Sequence, residues 1–197
     1  MNRYILMVLV LLGCTDRGDE YINQDKGENL NAIIENEMAR DTSINEIFMG
    51  VQLGWTMTKM MEYLDGKVEQ GELGMEGLNY QYDLKTATGK YECDFIMGAY
   101  ADTLYEFTID LKTASEVPDL REYHDLKNLY KEKYGQPDYT YIDYDGIEAR
   151  AYWIDANRQI QIHYTSVFSY IKYIDSKIED RKHRIGEPQP SETIDDI

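Results

Sequence analysis

Two cysteines, Cys14 and Cys93, and four prolines are all the chain's 197 residues contain of either type. Two thiols cannot build a disulfide framework, and nothing in the sequence has the paired-cysteine spacing of a zinc motif. Basic residues are scarce as well, 20 Lys and Arg against 37 Asp and Glu, which leaves a formal net charge of −17. That excess repels phosphate backbones and anionic lipid headgroups. The cations form no stripe that would overcome it, so nucleic acid is excluded as a partner class. Long apolar runs are missing too: residues 5–12 are far short of the roughly 20 residues a membrane-spanning helix needs, and no later segment is longer or more apolar. The sequence also lacks a Gly-x-Ser-x-Gly elbow, a phosphate-binding glycine loop and a His-Glu-x-x-His pair. Nucleophilic and metal-assisted hydrolysis therefore have no motif to rest on, and neither a cofactor nor a metal is expected.

The apolar run has a meaning of its own. Arg3 precedes it and Gly13-Cys14 follow it, the layout of a secretory signal. Leu11-Leu12-Gly13-Cys14 resembles the bacterial lipobox. The resemblance implies cleavage before Cys14, acylation of that residue, and anchoring to the cell envelope at the outer membrane, on its periplasmic or surface face. Each acyl methylene buried in a bilayer contributes about 0.8 kcal/mol, so two or three chains hold a protein firmly. Loss of residues 1–13 removes Arg3 and leaves the chain more acidic, which makes the anchor lipid rather than electrostatic.

The length fits one domain. Residues 14–28 are polar and read as a flexible tether, residues 29–178 as a single α+β domain with possible halves 45–113 and 114–178, and residues 179–197 as a disordered acidic tail. Leu30, Ile33, Ile34 and Met38 recur at helical spacing. A second helix follows Thr56, with Met57, Met60, Met61 and Leu64 on one face and a stop near Asp65-Gly66. The glycine-rich stretch 66–77 reads as a loop. Alternation then predicts three antiparallel strands, around Tyr80 to Leu84, Tyr91 to Met97 and Tyr105 to Leu111, with Thr88-Gly89 as the first turn. The clearest helix carries Leu120, Tyr123, Leu126, Leu129, Tyr130 and Tyr134, with Ser115 or Asp119 as cap, Pro118 in its first turn and Gly135 and Pro137 at its end. Four more strands follow, over 139–143, 148–154, 159–165 and 168–174, with turns at Asp145-Gly146 and Ala156-Asn157. The expected fold is α+β: two weak repeats, each a helix followed by a β-meander, with the helices packed on one face of an antiparallel sheet.

Two segments carry a family resemblance, Phe48-Met49-Gly50-Val51-Gln52-Leu53-Gly54-Trp55-Thr56 and Leu129-Tyr130-Lys131-Glu132-Lys133-Tyr134-Gly135-Gln136-Pro137. The first resembles the glycine-and-hydroxyl opening of a repeat and the second its Tyr-Gly-x-Pro ending. Both look like uncharacterised secreted lipoproteins of Gram-negative bacteria with the architecture of the SmpA/BamE-like lipoproteins and of the β-lactamase-inhibitor-protein fold. The first helix lacks the closing proline and the second lacks the glycine opening. The shared residues are caps and turns and carry no chemistry, so the resemblance implies protein binding by surface contact and no catalytic residue.

Individual side chains add little chemistry. His124, His163 and His183 stand in no ligand spacing. Asp143-Tyr144-Asp145-Gly146 has part of a calcium loop, but Tyr141 holds the place of the first acidic ligand, and a hairpin turn explains it better. Glu92, Asp94, Glu106 and Asp110 alternate onto one sheet face, and alternation alone makes a solvated acidic surface. Cys93, between Tyr91 and Phe95, reads as a small buried hydrophobe, and Trp153 as core. The surplus is tyrosine, 18 against four Phe and two Trp. Tyrosine gives binding surfaces large area and a hydroxyl at low entropy cost. The candidate binding residues are therefore Tyr139, Tyr141, Tyr152, Tyr164, Tyr170 and Tyr173, with Tyr144 as a further strand-end tyrosine. The expected function is that of a non-enzymatic envelope lipoprotein binding another envelope protein through its sheet face. The alternative is a cell-surface binder of glycans or small ligands.

Overall fold

A computed structural model describes residues 27–87, 89–112, 120–143 and 148–186. The signal segment, Cys14 and most of the tether lie outside these residues, as do Ser115, Pro118, Asp119, Tyr144 and the Asp145-Gly146 turn. The first helix, α1 (Gly27–Met38), begins inside the expected tether. Helix α2 (Met57–Glu69) starts where Thr56 Oγ1 accepts the Lys59 N–H at 3.3 Å, and buries Met60 and Leu64. It runs through Gly66 instead of stopping there, because Val68 packs on the core and Lys67 pairs with Glu72 at 2.9 Å, which together offset the glycine.

Strands β1 (Gly74–Glu76), β2 (Asn79–Lys85), β3 (Lys90–Tyr100) and β4 (Thr103–Lys112) form the first meander. The three-residue β1 falls in the stretch expected to be loop, since so short a strand has no alternation to read. Helix α3 (Leu120–Tyr134) buries Tyr123, Leu126 and Tyr130 and ends at Gly135, whose φ of +84° is open to glycine without strain. The Trp153 indole N–H donates to the Gly135 carbonyl at 2.8 Å. Strands β5 (Tyr139–Asp143), β6 (Glu148–Asp155), β7 (Arg158–Thr165) and β8 (Ser169–Asp175) follow at the expected positions. The chain then continues as α4 (Ser176–Gly186), where a disordered tail was expected from residue 179. Asp175 Oδ1 caps this helix by accepting the Lys177 and Ile178 N–H groups at 3.0 and 3.1 Å, and Ile178 is buried.

The eight strands make one antiparallel sheet in the order β1-β2-β3-β4-β8-β7-β6-β5. Each half is a meander, and the halves join where β4 pairs with β8, Phe107 opposite Tyr173 and Ile109 opposite Ile171. Paired residues share a face and successive ones alternate, so the register sorts every side chain. One face carries Cys93, Phe95, Phe107, Ile109, Ala151, Trp153, Ile162, Ile171 and Tyr173, all in the core cluster with Met60, Leu64, Tyr123, Leu126 and Tyr130 of α2 and α3. A hydrogen bond of 2.5 Å between the Tyr130 and Tyr173 hydroxyls satisfies two polar groups in this core.

Helices α1 and α4 do not join α2 and α3. They meet beside Gln159, which alternates away from the core residue Ile160, and Ile154, Ile174 and Ile178 are buried outside the main core cluster. Side chains of α2 and α3 thus share the core cluster with the first face, and Ile178 of α4 lies outside it. Polar capping at Asn157 and Asp175 turns α4 back over the second face, with Asn157 Nδ2 donating to Asp175 Oδ2 at 2.9 Å.

Truncating Phe107 to alanine at the β4–β8 seam is expected to destabilise the protein by about 3–5 kcal/mol in urea unfolding. Leu78→Ser, at a turn residue 90% exposed, is expected to stay within about 0.5 kcal/mol of the parent.

Candidate functional site

The second sheet face is polar and aromatic. Opposite-strand pairing places Asp94, Asp110, Tyr170, His163, Arg150 and Tyr141 in one row across the strands, and Ile96, Thr108, Lys172, Gln161, Tyr152 and Tyr139 in the next. Neighbouring side chains in such a row stand about 5 Å apart, within contact reach.

Four of the six candidate tyrosines, Tyr139, Tyr141, Tyr152 and Tyr170, belong to this face. Tyr139 meets Tyr152 edge-on with ring centroids 5.6 Å apart, and Tyr170 stacks on Phe168 at 5.9 Å. Tyr139, Tyr141 and Tyr170 are partly exposed, while Tyr152 is 5% exposed. The other two candidates are corrected by burial. Tyr164 and Tyr173 are 0% and 1% exposed, because each sits at the alternate parity of its strand and points under α3 into the core. Neither can present itself to a partner.

A hydrogen-bonded chain runs through the row, one that no sequence spacing announced. Glu148 Oε1 lies 2.7 Å from His163 Nε2, and His163 Nδ1 lies 2.8 Å from the Tyr170 hydroxyl. An ionised carboxylate accepts only, so the neutral imidazole carries its proton on Nε2 and Nδ1 accepts from Tyr170. Arg150 Nε donates to the same Glu148 oxygen at 2.8 Å, and a second guanidinium N–H reaches it too. Burial works against the charge on Glu148, but the hydrogen bonds from Arg150 and His163 outweigh it and hold the carboxyl below its ordinary value. Burial also lowers His163, more than Glu148 raises it. Burial raises Tyr170, so its hydroxyl is a hydrogen-bonding group rather than a nucleophile. Gln161 Nε2 donates to the Tyr152 hydroxyl at 3.1 Å, beside Arg150.

The carboxylates singled out from the sequence do share this face. Lys112 binds Glu92 at 3.0 Å and Asp94 at 3.1 Å, and Lys172 binds Glu106 at 3.1 Å. Asp110 is raised, first by burial and then by neighbouring Asp94. Cys93 lies on the covered face, where burial pushes its thiol up to about 12, far from the reactive range. Among the described residues, no three His, Cys, Asp or Glu side chains come together in a way that could hold a metal ion. Nor is any described helix long and apolar enough to cross a membrane.

The sequence reading missed Glu148, Arg150 and His163. Glu148 and Arg150 are two apart in one strand and so on one face, a visible signal. Their meeting with His163 depends on the β6–β7 register, in which Arg150 stands opposite His163.

No protein-family model, curated protein or solved structure matches this chain.

His163 is expected to titrate below its ordinary value of 6.5 in 15N-correlated NMR, as the Nε2–H tautomer. Glu148→Gln removes the stabilising charge and is expected to move the titration lower still. Because the folded state then binds fewer protons than the unfolded one, His163 contributes instability that grows as pH falls below 6.5. Urea midpoints of the parent are expected to fall more steeply below that pH than those of His163→Gln.

Proposed function

We propose that the chain is a non-enzymatic, lipid-anchored protein of the bacterial cell envelope that holds a protein partner on the tyrosine-bearing part of its second sheet face. The observation that carries this reading is the grouping of Tyr139, Tyr141, Tyr152 and Tyr170 with Arg150 on one face. Tyrosine and arginine are the residue types that dominate binding energy at protein interfaces, through area, hydroxyl or guanidinium donors and low ordering cost. The Leu11-Leu12-Gly13-Cys14 junction supports acylation at Cys14, which would tether the domain to a membrane through its lipid.

Each half of the domain, α2 with β1–β4 and α3 with β5–β8, is read as one copy of a helix-then-meander unit. The mirrored strand order supports this. It also agrees with the resemblance to SmpA/BamE-like lipoproteins and the β-lactamase-inhibitor-protein fold, whose members act through surface contact.

A second reading, a cell-surface glycan binder, is favoured by one feature. Arg150, Glu148, Gln161 and His163 are planar hydrogen-bonding groups set among aromatic rings, the chemistry that suits sugar hydroxyls and ring faces.

Metabolic labelling with an alkynyl fatty acid is expected to mark the parent chain and to leave Cys14→Ala unmarked; equal labelling would remove the anchor. A photo-crosslinking residue at position 141 is expected to give a discrete adduct in intact cells, and one at position 61, on α2, none. Tyr141→Ala and Arg150→Ala are expected to weaken capture about tenfold or more. Saturable oligosaccharide binding without any protein adduct at 141 would replace the first reading with the second.

A further inference from the structure

The site assigned above uses the row around Arg150, whereas α1 and α4 line a separate, open cleft at the Gln159 end of the sheet, with a volume of about 350 Å3. We propose that this cleft binds a small aliphatic amine, with the ammonium between Glu35 and Glu179 and the carbon stem on Ile34 and Met38.

Three features of the cleft point to that chemistry. Its apolar wall is supplied by Ile34 and Met38, at helical spacing on α1. Across from them stand the Glu179 and Asp180 carboxylates of α4, of which Asp180 is engaged by Arg184 at 2.9 Å. Glu35 and Glu179 have no cation within ion-pair distance among the described residues. The lysines of α4 are engaged elsewhere: Lys177 donates to the Arg40 carbonyl at 3.1 Å and Lys182 to the Tyr105 hydroxyl at 2.6 Å.

The decisive feature is Ser176. It is 4% exposed, it lines the cleft, and its Oγ has no hydrogen-bond partner among the described residues. A buried hydroxyl without a partner is an unmet demand that a ligand N–H would satisfy. An ammonium brings three donors and no acceptor, matching two carboxylates and a hydroxyl. A metal ion matches less well, because no three metal-competent side chains converge here and one wall is hydrocarbon. Burial raises the Glu179 carboxyl above its ordinary value, with nearby His183 lowering it only in part and Glu106 adding to the rise, the condition that a bound cation relieves.

The same chemistry arrives on a free diamine or on a lysine side chain, and two probes separate these sources. The full chain in zwitterionic detergent, labelled at the methionine methyls, would be titrated at constant ionic strength with cadaverine and with Nα-acetyl-lysine amide. The Met38 methyl, assigned through Met38→Leu, is expected to shift saturably with both while the Met97 methyl stays still; the tighter probe names the source. Glu179→Gln is expected to lower affinity about tenfold or more. Glu35→Gln, an exposed substitution on α1, is expected to weaken binding while leaving the fold and α4 in place, so a loss through misfolding is told apart from a loss of ligand contact. An equal response to n-pentanol, unchanged affinity in both variants, or no saturable Met38 shift would overturn the proposal.

Discussion

Residues Glu106 to Leu111 run antiparallel to residues 169–174, and this pairing of the last strand of one half with the last strand of the other converts two meanders into a single sheet. Neither half closes by itself. A four-stranded meander covered by one helix leaves a strand edge open, with unpaired N–H and C=O groups that attract other chains. At the seam each half covers the other's edge. Phe107 against Tyr173 and Ile109 against Ile171 bring fully buried side chains of both halves together at the seam. The remaining edges, β1 and β5, are short, three and five residues.

Because side chains alternate along every strand, the seam also fixes what the second face can be. Once Phe107, Ile109, Ile171 and Tyr173 point under α2 and α3, the residues between them point the other way. Thr108, Asp110, Tyr170 and Lys172 then share one surface with residues brought in by β6 and β7. The Glu148–His163–Tyr170 chain is a product of that registration. A slip of one residue between β7 and β8 would turn His163 toward the apolar core and Tyr164 away from it. The polar chain on one face and the dry core on the other are therefore one constraint seen from two sides.

The second face is divided in turn. Asp175 and Asn157 fix the start of α4 and return the chain across the sheet, and Ile178, like Ile154 and Ile174, is buried outside the main core cluster. At the other end, Arg150 binds the Glu148 carboxylate and stands opposite Tyr141, beside the Tyr139–Tyr152 ring pair. In a chain with a net charge of −17, two cations of this face are held by carboxylates, Arg150 by Glu148 and Lys172 by Glu106, and Lys172 also lies over the Tyr170 ring. Mutual repulsion among the remaining carboxylates favours cationic neighbours over anionic ones.

Most of the elements could be read from the sequence. Strands β5 to β8 follow alternation closely, α3 is bounded by Gly135, and Thr56 starts α2 as its residue type indicates, because these signals are local: a periodicity, a cap, a left-handed turn. Three elements were misread for equally local reasons. β1 is too short to alternate, the end of α2 is held past Gly66 by Val68 and Lys67, and α4 looks like a charged tail because Ile178 stands alone as a buried apolar side chain among its described residues. Which tyrosines face outward was beyond local reading, since Tyr139 and Tyr141 look no different from Tyr164 and Tyr173 until parity is tied to a core. What the sequence determined by itself was composition, strand and helix periodicity, and the acidic net charge. Only the tertiary structure decided the β4–β8 seam, the meeting of Glu148, His163 and Tyr170, and the cleft around Ser176. Each of these joins residues from different elements, and such encounters depend on register and packing, which no run of neighbouring residues encodes.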